Sequence, residues 1–407
     1  MNLKKYIPKF VYKTYHYLLA FLGVLIYGFP GKKIKVIGIT GTNGKSTTAN
    51  ICFSVLEEGG FKVASMSSIS FKIGKEEKVN DLKMTMPGRF KIQQFLKEAV
   101  LNKCDYAIIE VTSEGIEQFR HKFIGFDVAI FTNLSKEHIE SHGGFDNYKK
   151  AKGKFFKEVK GIHILNKDDP HFEYFNSFNA DKKITYSILS ESQVHAKNIL
   201  TNEDYSTFEI NNVNLKTNLL GEFNIYNCLA AISLGLSQGI DLDKCRDGIE
   251  KVEGIPGRMQ KIISEPFSVF IDYAFTPNAL EKVYKYLNPT IAVLGACGGG
   301  RDKWKRPVLG ELADRYAKYV IITNEDPYDE NPQNIIDEVA ERVKDPIRIF
   351  NRSEAINKAL SLAKEGDTVV ITGKGSETCI MWEKGRREDW SEKQVIIEEF
   401  KKIKKEE

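Results

Sequence analysis

The sequence is without paired cysteines. Its six, Cys52, Cys104, Cys228, Cys245, Cys297 and Cys379, lie scattered over 407 residues, with no CxxC and no disulfide framework. That spacing excludes a disulfide-stapled secreted domain and points to a reducing cytosol. Internal repeats and low-complexity segments are absent as well. A surplus of one charge sign is nearly lacking: the net charge of +4 calls for no nucleic-acid partner. No apolar run reaches the roughly 20 residues of a spanning helix. The nearest, YLLAFLGVLIYGF within the first thirty residues, also lacks the small-residue cleavage site of a signal peptide.

What remains is the profile of a soluble globular protein, 42% hydrophobic and 28% charged, long enough for two or three domains. The apolar N-terminal run allows two readings. One is a helix docked on the protein's own core or on a partner. The other is a membrane-surface anchor at the inner face, with Lys4, Lys5, Lys9 and Lys13 toward anionic lipid and the aromatics in the interface.

From Ile34 onward strand-like and helix-like segments alternate, the pattern of an α/β protein with a mainly parallel sheet. Strands are expected at 34–40, 105–111, 127–133 and 161–166, with helices at 45–57, 88–102 and 146–158. Short alternating pieces from 184 to 220 read as antiparallel strands, followed by a helix at 224–238. EGIPGRM (253–259) is a glycine- and proline-containing break. A second α/β series follows, with strands at 268–273, 290–296, 319–323 and 367–372. The expected division is an apolar helical segment 1–33, a central α/β domain 34–254 and a Rossmann-like α/β domain 255–407.

IKVIGITGTNGKSTTAN (34–50) carries the first chemistry. A strand, a glycine-rich turn and a helix starting near Lys45 make a phosphate cradle. Backbone N–H groups and the helix N-terminus face the anion, the lysine adds a point charge, and the following hydroxyl can ligate Mg²⁺. The spacing departs from GxxxxGK[ST]: Gly38 stands six before Gly44 and Gly41 three before it. An ordinary glycine turn with a surface lysine does not account for strand, GKS and helix together.

GTNGKS resembles the phosphate loop of the Mur ligase family, and further segments follow in the family's order. These are IIEVTSEGI (108–116), FTNLSKEHIESHGGFDNYKKAKGKFF (131–156), GEFNIYNCLAAI (221–232), GIPGRMQ (254–260) and IDYAFTPNALEKV (271–283). GACGGGRDKWKRPVLG (295–310) and ITGKGSE (371–377) resemble the muramyl-tripeptide ligases in particular. The resemblance covers about residues 34–395. It implies a P-loop-type central ATPase domain and an ATP-dependent acid–amino-acid ligase of cell-wall synthesis. A substrate carboxylate takes the γ-phosphoryl group to give an acyl phosphate, and an amine then displaces phosphate. Such catalysis is mostly positioning and charge neutralisation.

The resemblance also implies roles for residues of this chain. Gly41, Thr42, Asn43, Gly44, Lys45, Ser46 and Thr47 would cradle the nucleotide phosphates. Ser46 would serve a first Mg²⁺, and Glu110 would ligate metal. His138 and Lys152, the latter carbamylated by CO₂, would serve a second. Asn224 and Asn227, three apart on one helical face, would meet adenine. Arg258 would reach the phosphates, Asp272 would bind ribose or orient that arginine, and Arg352 is a further nucleotide candidate. The precursor peptide would meet Thr85, Pro87, Thr112, Ser113 and Arg120. The added amino acid would meet Arg301, Asp326, Gly373 and Glu377. Residues near 253–257 would act as a hinge. The enzyme is expected to be a cytoplasmic monomer.

Three departures qualify the expected substrates. About thirty residues stand where the tripeptide ligases have a UDP-binding domain. The family's Asp-Asn-Pro-Arg motif, whose arginine reads the distal carboxylate of diaminopimelate, is Glu325-Asp326-Pro327-Tyr328 here. Tyrosine cannot form that bidentate ion pair, so lysine, ornithine or another amine is open. Phe275 and Ser376 replace two family histidines without removing a metal ligand. Other readings are a folylpolyglutamate or poly-amino-acid type of amide ligase, a plain P-loop NTPase, and a non-catalytic ATP-binding scaffold of wall synthesis.

Overall fold

The computed structural model describes residues 8–406, apart from the side chains of residues 9, 405 and 406. Lys4, Lys5 and the side chain of Lys9 therefore lie outside it. The chain forms two compact units. One comprises the residues up to Ser135 together with Asp146–Glu253, the other Lys136–Phe145 together with the residues from Gly254 onward.

The first unit runs α1 (Lys9–Tyr27), β1 (Lys35–Thr40), α2 (Lys45–Glu58), β2 (Val63–Met66), β3 (Ser70–Ile73), β4 (Glu76–Val79), α3 (Arg89–Leu101), β5 (Tyr106–Glu110), α4 (Ser113–Glu117) and β6 (Phe126–Phe131). After α5 (Ile139–His142), which belongs to the other unit, it resumes with α6 (Phe145–Glu158), β7 (Ile162–Asn166), α7 (Phe172–Asn176), β8 (Lys182–Ser187) and β9 (Val194–His195). It closes with β10 (Lys197–Thr201), β11 (Ser206–Ile210), β12 (Val213–Thr217), α8 (Glu222–Ser237) and α9 (Leu242–Glu250). The nine-stranded sheet has the order β4-β3-β2-β5-β1-β6-β7-β8-β9. β1 lies at its centre, parallel to β5 and β6, with Ile39 beside Glu110 and Thr40 beside Phe131. Central strands covered on both faces are apolar throughout, which is why VIGI and AII read as unbroken runs. The registers bring the loops after β1, β5 and β6 together at the carboxyl edge of the sheet, the usual place for ligands in such folds.

The segment 184–220 behaves differently from its expected antiparallel pattern at its start. β8 and β9 extend the main sheet in parallel, and only β10–β12 form an antiparallel sheet. Alternation along a strand reports which face is buried, not the direction of its neighbour. The polar strands β3 and β4, an antiparallel edge of the main sheet, had no clear signal.

In the second unit the series is β13 (Gln260–Ile263), β14 (Ser268–Asp272), α10 (Pro277–Leu287), β15 (Ile291–Leu294), α11 (Lys305–Tyr316), β16 (Tyr319–Ile322), α12 (Pro332–Ala340), β17 (Ile347–Arg348), α13 (Arg352–Leu362) and β18 (Thr368–Thr372). β19 (Cys379–Met381), β20 (Arg387–Asp389) and α14 (Glu392–Glu406) complete it. Its sheet has the order β13-β14-β18-β15-β16-β17, parallel except for β13. Val269, Ile271, Val293, Ile321, Val369 and Ile371 meet Ala355, Ile356 and Ala359 of α13 in its core.

α1 is longer than the apolar run because it starts at Lys9, and by length and composition it is able to cross a membrane. One face, with His16, Ala20 and Val24, is buried, and the helix packs on α3.

Candidate active site

The turn after β1 leads into the N-terminus of α2, a place whose backbone N–H groups favour an anion. Gly44 has φ +83°, and a Cβ there would stand 2.5 Å from Asn227 Oδ1. A Cβ at Gly41 would fall 1.9 Å from Thr132 Oγ1. Side chains at either place would collide with the residues that fix the turn. Asn43 N donates to Asn133 Oδ1 (3.0 Å), while Asn133 Nδ2 and Thr132 Oγ1 donate to Asn43 O (3.0 and 2.7 Å). Thr42 Oγ1 lies 3.1 Å from the Tyr148 hydroxyl and accepts from Ser135 N. Leu134 N is held in turn by Asp169 Oδ2 at 2.8 Å. Lys45 folds its ammonium back onto Gly41 O and Thr42 O at 3.0 and 2.8 Å. Those carbonyls hold the cation at the mouth of the turn. Ser46 and Thr47 are buried on the first turn of α2.

Asn224 and Asn227 do lie on one face of α8, and both are buried. Thr48 Oγ1 donates to Asn227 Oδ1 (3.1 Å), Asn227 Nδ2 to Asn224 Oδ1 (2.8 Å), and Asn224 Nδ2 to Leu220 O (2.7 Å). The pair thus braces the start of α2 from behind.

Glu110, fully buried at the end of β5, accepts from Ser68 N at 2.8 Å and from Ser68 Oγ at 3.2 Å. Ser68 Oγ also lies 2.9 Å from Thr85 Oγ1 and 3.4 Å from Ser46 Oγ. One carboxylate and three hydroxyls from four separate segments therefore gather beside the phosphate turn. Hard oxygen donors of this kind suit Mg²⁺, which keeps waters and phosphate oxygens for its remaining positions. Among the described residues no three His, Cys, Asp or Glu side chains converge, so a purely protein-built cage is not present there. Ser68 escaped the sequence reading, because nothing in VASMSSIS marks one serine over its neighbours.

Lys152 is only 2% exposed. Its Nζ donates to Gly41 O (2.9 Å) and reaches Thr40 Oγ1 (3.4 Å), and it lies 4.8 Å from the centre of the Tyr148 ring. Burial first, and then the nearby charge of Lys45, hold its pKa well below the ordinary lysine value. Its neighbours on the helix differ: Lys149, Lys150 and Lys154 are not buried. Lys152 thus stands buried behind the turn, in surroundings that disfavour its charged form.

Of the peptide-site candidates, Pro87 and Ser113 are buried, and Thr112 caps α4 by accepting from Gly115 N at 3.1 Å. Arg120 binds Gln118 Oε1 through Nε and Nη2 (3.2 and 2.7 Å) and donates to Met86 O. It thereby ties the segment after α4 to the one carrying Thr85 and Pro87.

The second unit holds the remaining candidates. His138 has φ +54° and precedes α5, whose N–H groups at Ile139 and Glu140 bind the Asp302 carboxylate at 3.2 and 2.9 Å. A buried ion pair, Lys305 with Glu137 at 2.8 Å, fixes the same loop. Burial raises the Glu137 pKa against the lowering pull of Lys305. Arg258 stacks 4.4 Å over the Tyr273 ring. Asp272, buried, accepts from Met259 N (2.7 Å) and Ala274 N (2.6 Å), so it bolts the turn that carries Arg258. Arg352 is buried among Glu392, Asn324 O and Thr372 O, which occupy its guanidinium.

Asp326 accepts from Lys374 Nζ at 2.8 Å, and Lys374 also binds Glu377 Oε2 at 2.6 Å. Glu377 Oε1 accepts from the Tyr273 hydroxyl at 3.1 Å. Gly373 leaves room for Glu325, whose Oε2 would stand 2.2 Å from a Cβ at 373. That oxygen is buried without a hydrogen-bond partner among the described residues. Arg301 is half-buried next to this group. Burial and then Asp326 push the Tyr328 phenol up to about 12, so it stays neutral.

Comparison with known proteins decides the family. Residues 39–235 match the Mur ligase middle domain, and residues 257–375 match the Mur ligase, glutamate ligase domain. The chain belongs to the Mur ligase family. It is 35% identical over 400 residues to UDP-N-acetylmuramoyl-L-alanyl-D-glutamate--2,6-diaminopimelate ligase 1 of Clostridium acetobutylicum, covering 95% of this chain and 82% of that one. A solved UDP-N-acetylmuramoyl-L-alanyl-D-glutamate--2,6-diaminopimelate ligase matches at 28% identity and TM-score 0.62, over 91% of this chain and 79% of the other. Folylpolyglutamate synthase of Mycobacterium tuberculosis shares the fold, at TM-score 0.71 and 17% identity, over 90% and 96% of the two chains. As a Mur ligase, the protein is an ATP-dependent enzyme that forms carbon–nitrogen bonds between an acid and an amine.

Proposed function

We propose that this Mur ligase adds an amino acid to a peptidoglycan precursor, UDP-N-acetylmuramoyl-dipeptide, through an acyl phosphate. The observation that supports it best is the gathering, in one unit, of the phosphate turn, the Glu110–Ser68–Ser46 oxygens and the buried amine of Lys152. ATP binding alone requires no such oxygen cluster and no buried amine.

Lys45 and the turn N–H groups orient the γ-phosphoryl group toward the dipeptide carboxylate. A carboxylate oxygen forms a bond to phosphorus as the bond to ADP breaks. The incoming amine attacks the acyl carbon, loses a proton, and phosphate leaves from the tetrahedral intermediate. Ser46 and Glu110 would hold a Mg²⁺, which would supply neutralisation of charge on the transferring phosphate. Lys152 takes CO₂: its lone pair bonds to the carbon, one proton is released, and the amine becomes an anionic carbamate. The carbamate would give the group a negative charge and oxygens able to hold a second Mg²⁺. Thr85, Thr112, Ser113 and Arg120 belong to the acceptor side.

For the amine we favour an amino acid with a cationic end over diaminopimelate. Glu325 Oε2, buried and without a partner among the described residues, is suited to an ammonium. Neutral Tyr328 offers no ion pair to a distal carboxylate. The enzyme acts as a cytoplasmic monomer.

The test offers UDP-N-acetylmuramoyl-dipeptide, ATP and a panel of amino acids, with mass spectrometry of the product and phosphate release in parallel. One amino acid should give a ligated product, with lysine or ornithine ahead of diaminopimelate. Phosphate release independent of any amine would instead identify a plain NTPase.

A further inference from the structure

We propose that α1 seats this enzyme on an anionic membrane surface, lying in the plane of the interface while still docked on α3. The inference rests on the helix itself and stands apart from the identity of the acceptor.

α1 is divided lengthwise. His16, Ala20, Gly23 and Val24 face inward onto α3, while Tyr17 and Phe21 make edge contacts with Phe119 and Phe123 of the first unit. The outward face carries Phe10, Val11, Tyr15, Leu18, Leu22, Leu25 and Ile26, all substantially exposed, with Ile26 at 62% and Phe10 at 72%. A contiguous apolar face along a 19-residue helix is not an ordinary solvated surface. The inner face is committed to α3, so the helix cannot surround itself with lipid as a spanning helix must. Its exposed face suits the boundary between headgroups and acyl chains, where tyrosines also partition.

Charge selects the occupant. No aspartate or glutamate occurs before Glu57, whereas Lys4, Lys5, Lys9, Lys13, Lys32, Lys33 and Lys35 crowd the same stretch. Lys13, Lys32, Lys33 and Lys35 are exposed. A second copy of α1 across a two-fold axis would set like charges against each other, with no carboxylate on the helix to answer them. Anionic headgroups would answer such a surplus of cations.

The experiment is co-sedimentation of the full chain with vesicles of phosphatidylcholine alone or mixed with phosphatidylglycerol. Binding should favour the mixed vesicles, fall with salt, and be extractable without detergent. Each lysine exchanged in Lys32→Gln and Lys33→Gln should lower the partition about fivefold. Leu18→Glu combined with Leu22→Glu should lower it at least about tenfold. These positions are exposed, so circular dichroism and ATP binding in solution should be unchanged. No binding of the unaltered chain to phosphatidylglycerol vesicles overturns the proposal. So does binding that the substitutions leave intact, or a concentration-dependent dimer that the same substitutions abolish.

Discussion

Replacing Lys152 by methionine separates catalysis from stability. The two side chains are similar in length, and the amine nitrogen sits in a buried site with backbone Gly41 O, Thr40 Oγ1 and the Tyr148 ring around it. The nearby charge is that of Lys45, which repels it. Burying an ion without a counter-charge costs several kcal/mol, which proteins escape by neutralising the group. The sign for pH follows from the depressed pKa. Between the folded value and the ordinary lysine value the unfolded chain holds a proton that the native chain lacks. Stability therefore rises with pH in that window, by about 1.4 kcal/mol per unit, and the burial cost is fully present below the folded value. In CO₂-free buffer, Lys152→Met should remove this slope and leave stability at neutral pH unchanged or higher by up to about 3 kcal/mol. Ligation should nevertheless fall about 10²–10³-fold for loss of the carbamate. Thermal unfolding across the pH series, with product formation in bicarbonate, reads both. Mass spectrometry with carbon-13-labelled bicarbonate reads the adduct on the unaltered chain. A variant that unfolds several degrees lower, keeps the slope, or ligates within a few-fold of the parent would refute the reasoning.

Ser68→Ala removes the hydroxyl that joins Glu110, Thr85 and Ser46, and should raise the Mg²⁺ needed for half-maximal ATP cleavage about tenfold. Gly44→Ala places a Cβ against Asn227 Oδ1 at a left-handed backbone position and should abolish ATP binding in a fluorescent-nucleotide titration. Lys305→Met leaves Glu137 buried alone; a loss of about 3–5 kcal/mol in denaturant unfolding of the second unit is expected, with a lowered midpoint as the readout. Tyr328→Arg supplies the missing guanidinium, and kcat/KM for diaminopimelate should rise about tenfold while that for the preferred amine falls.

The α/β class and the phosphate turn were legible in the sequence because both are local. Buried parallel strands read as apolar runs, and the GKS turn needs only the strand before it and the helix after it. Glu110 was legible for the same reason, as the last residue of such a run. Lys152 was singled out among neighbouring lysines by family register alone; no feature of KKAKGKFF predicts which amine is buried.

What only the tertiary structure decided concerns groups whose meaning lies in partners distant along the chain. Ser68 matters because β2 pairs with β5 and carries the next turn over Glu110. Asn224 and Asn227 share a face, as their spacing required, but packing of α8 against α2 aims that face at Thr48. Arg352 meets Glu392 forty residues on, a contact that fills the core of the second unit. The segment Lys136–Phe145, continuous in sequence with the first unit, belongs to the second through Asp302 and Lys305, each more than 160 residues away. The apolar run of α1 announced a buried or interfacial helix; burial of Ala20 and Val24 on α3 decided which face is left outward. Composition and periodicity record which residues leave water. The partners they meet are set by strand register and helix packing, which no local window contains.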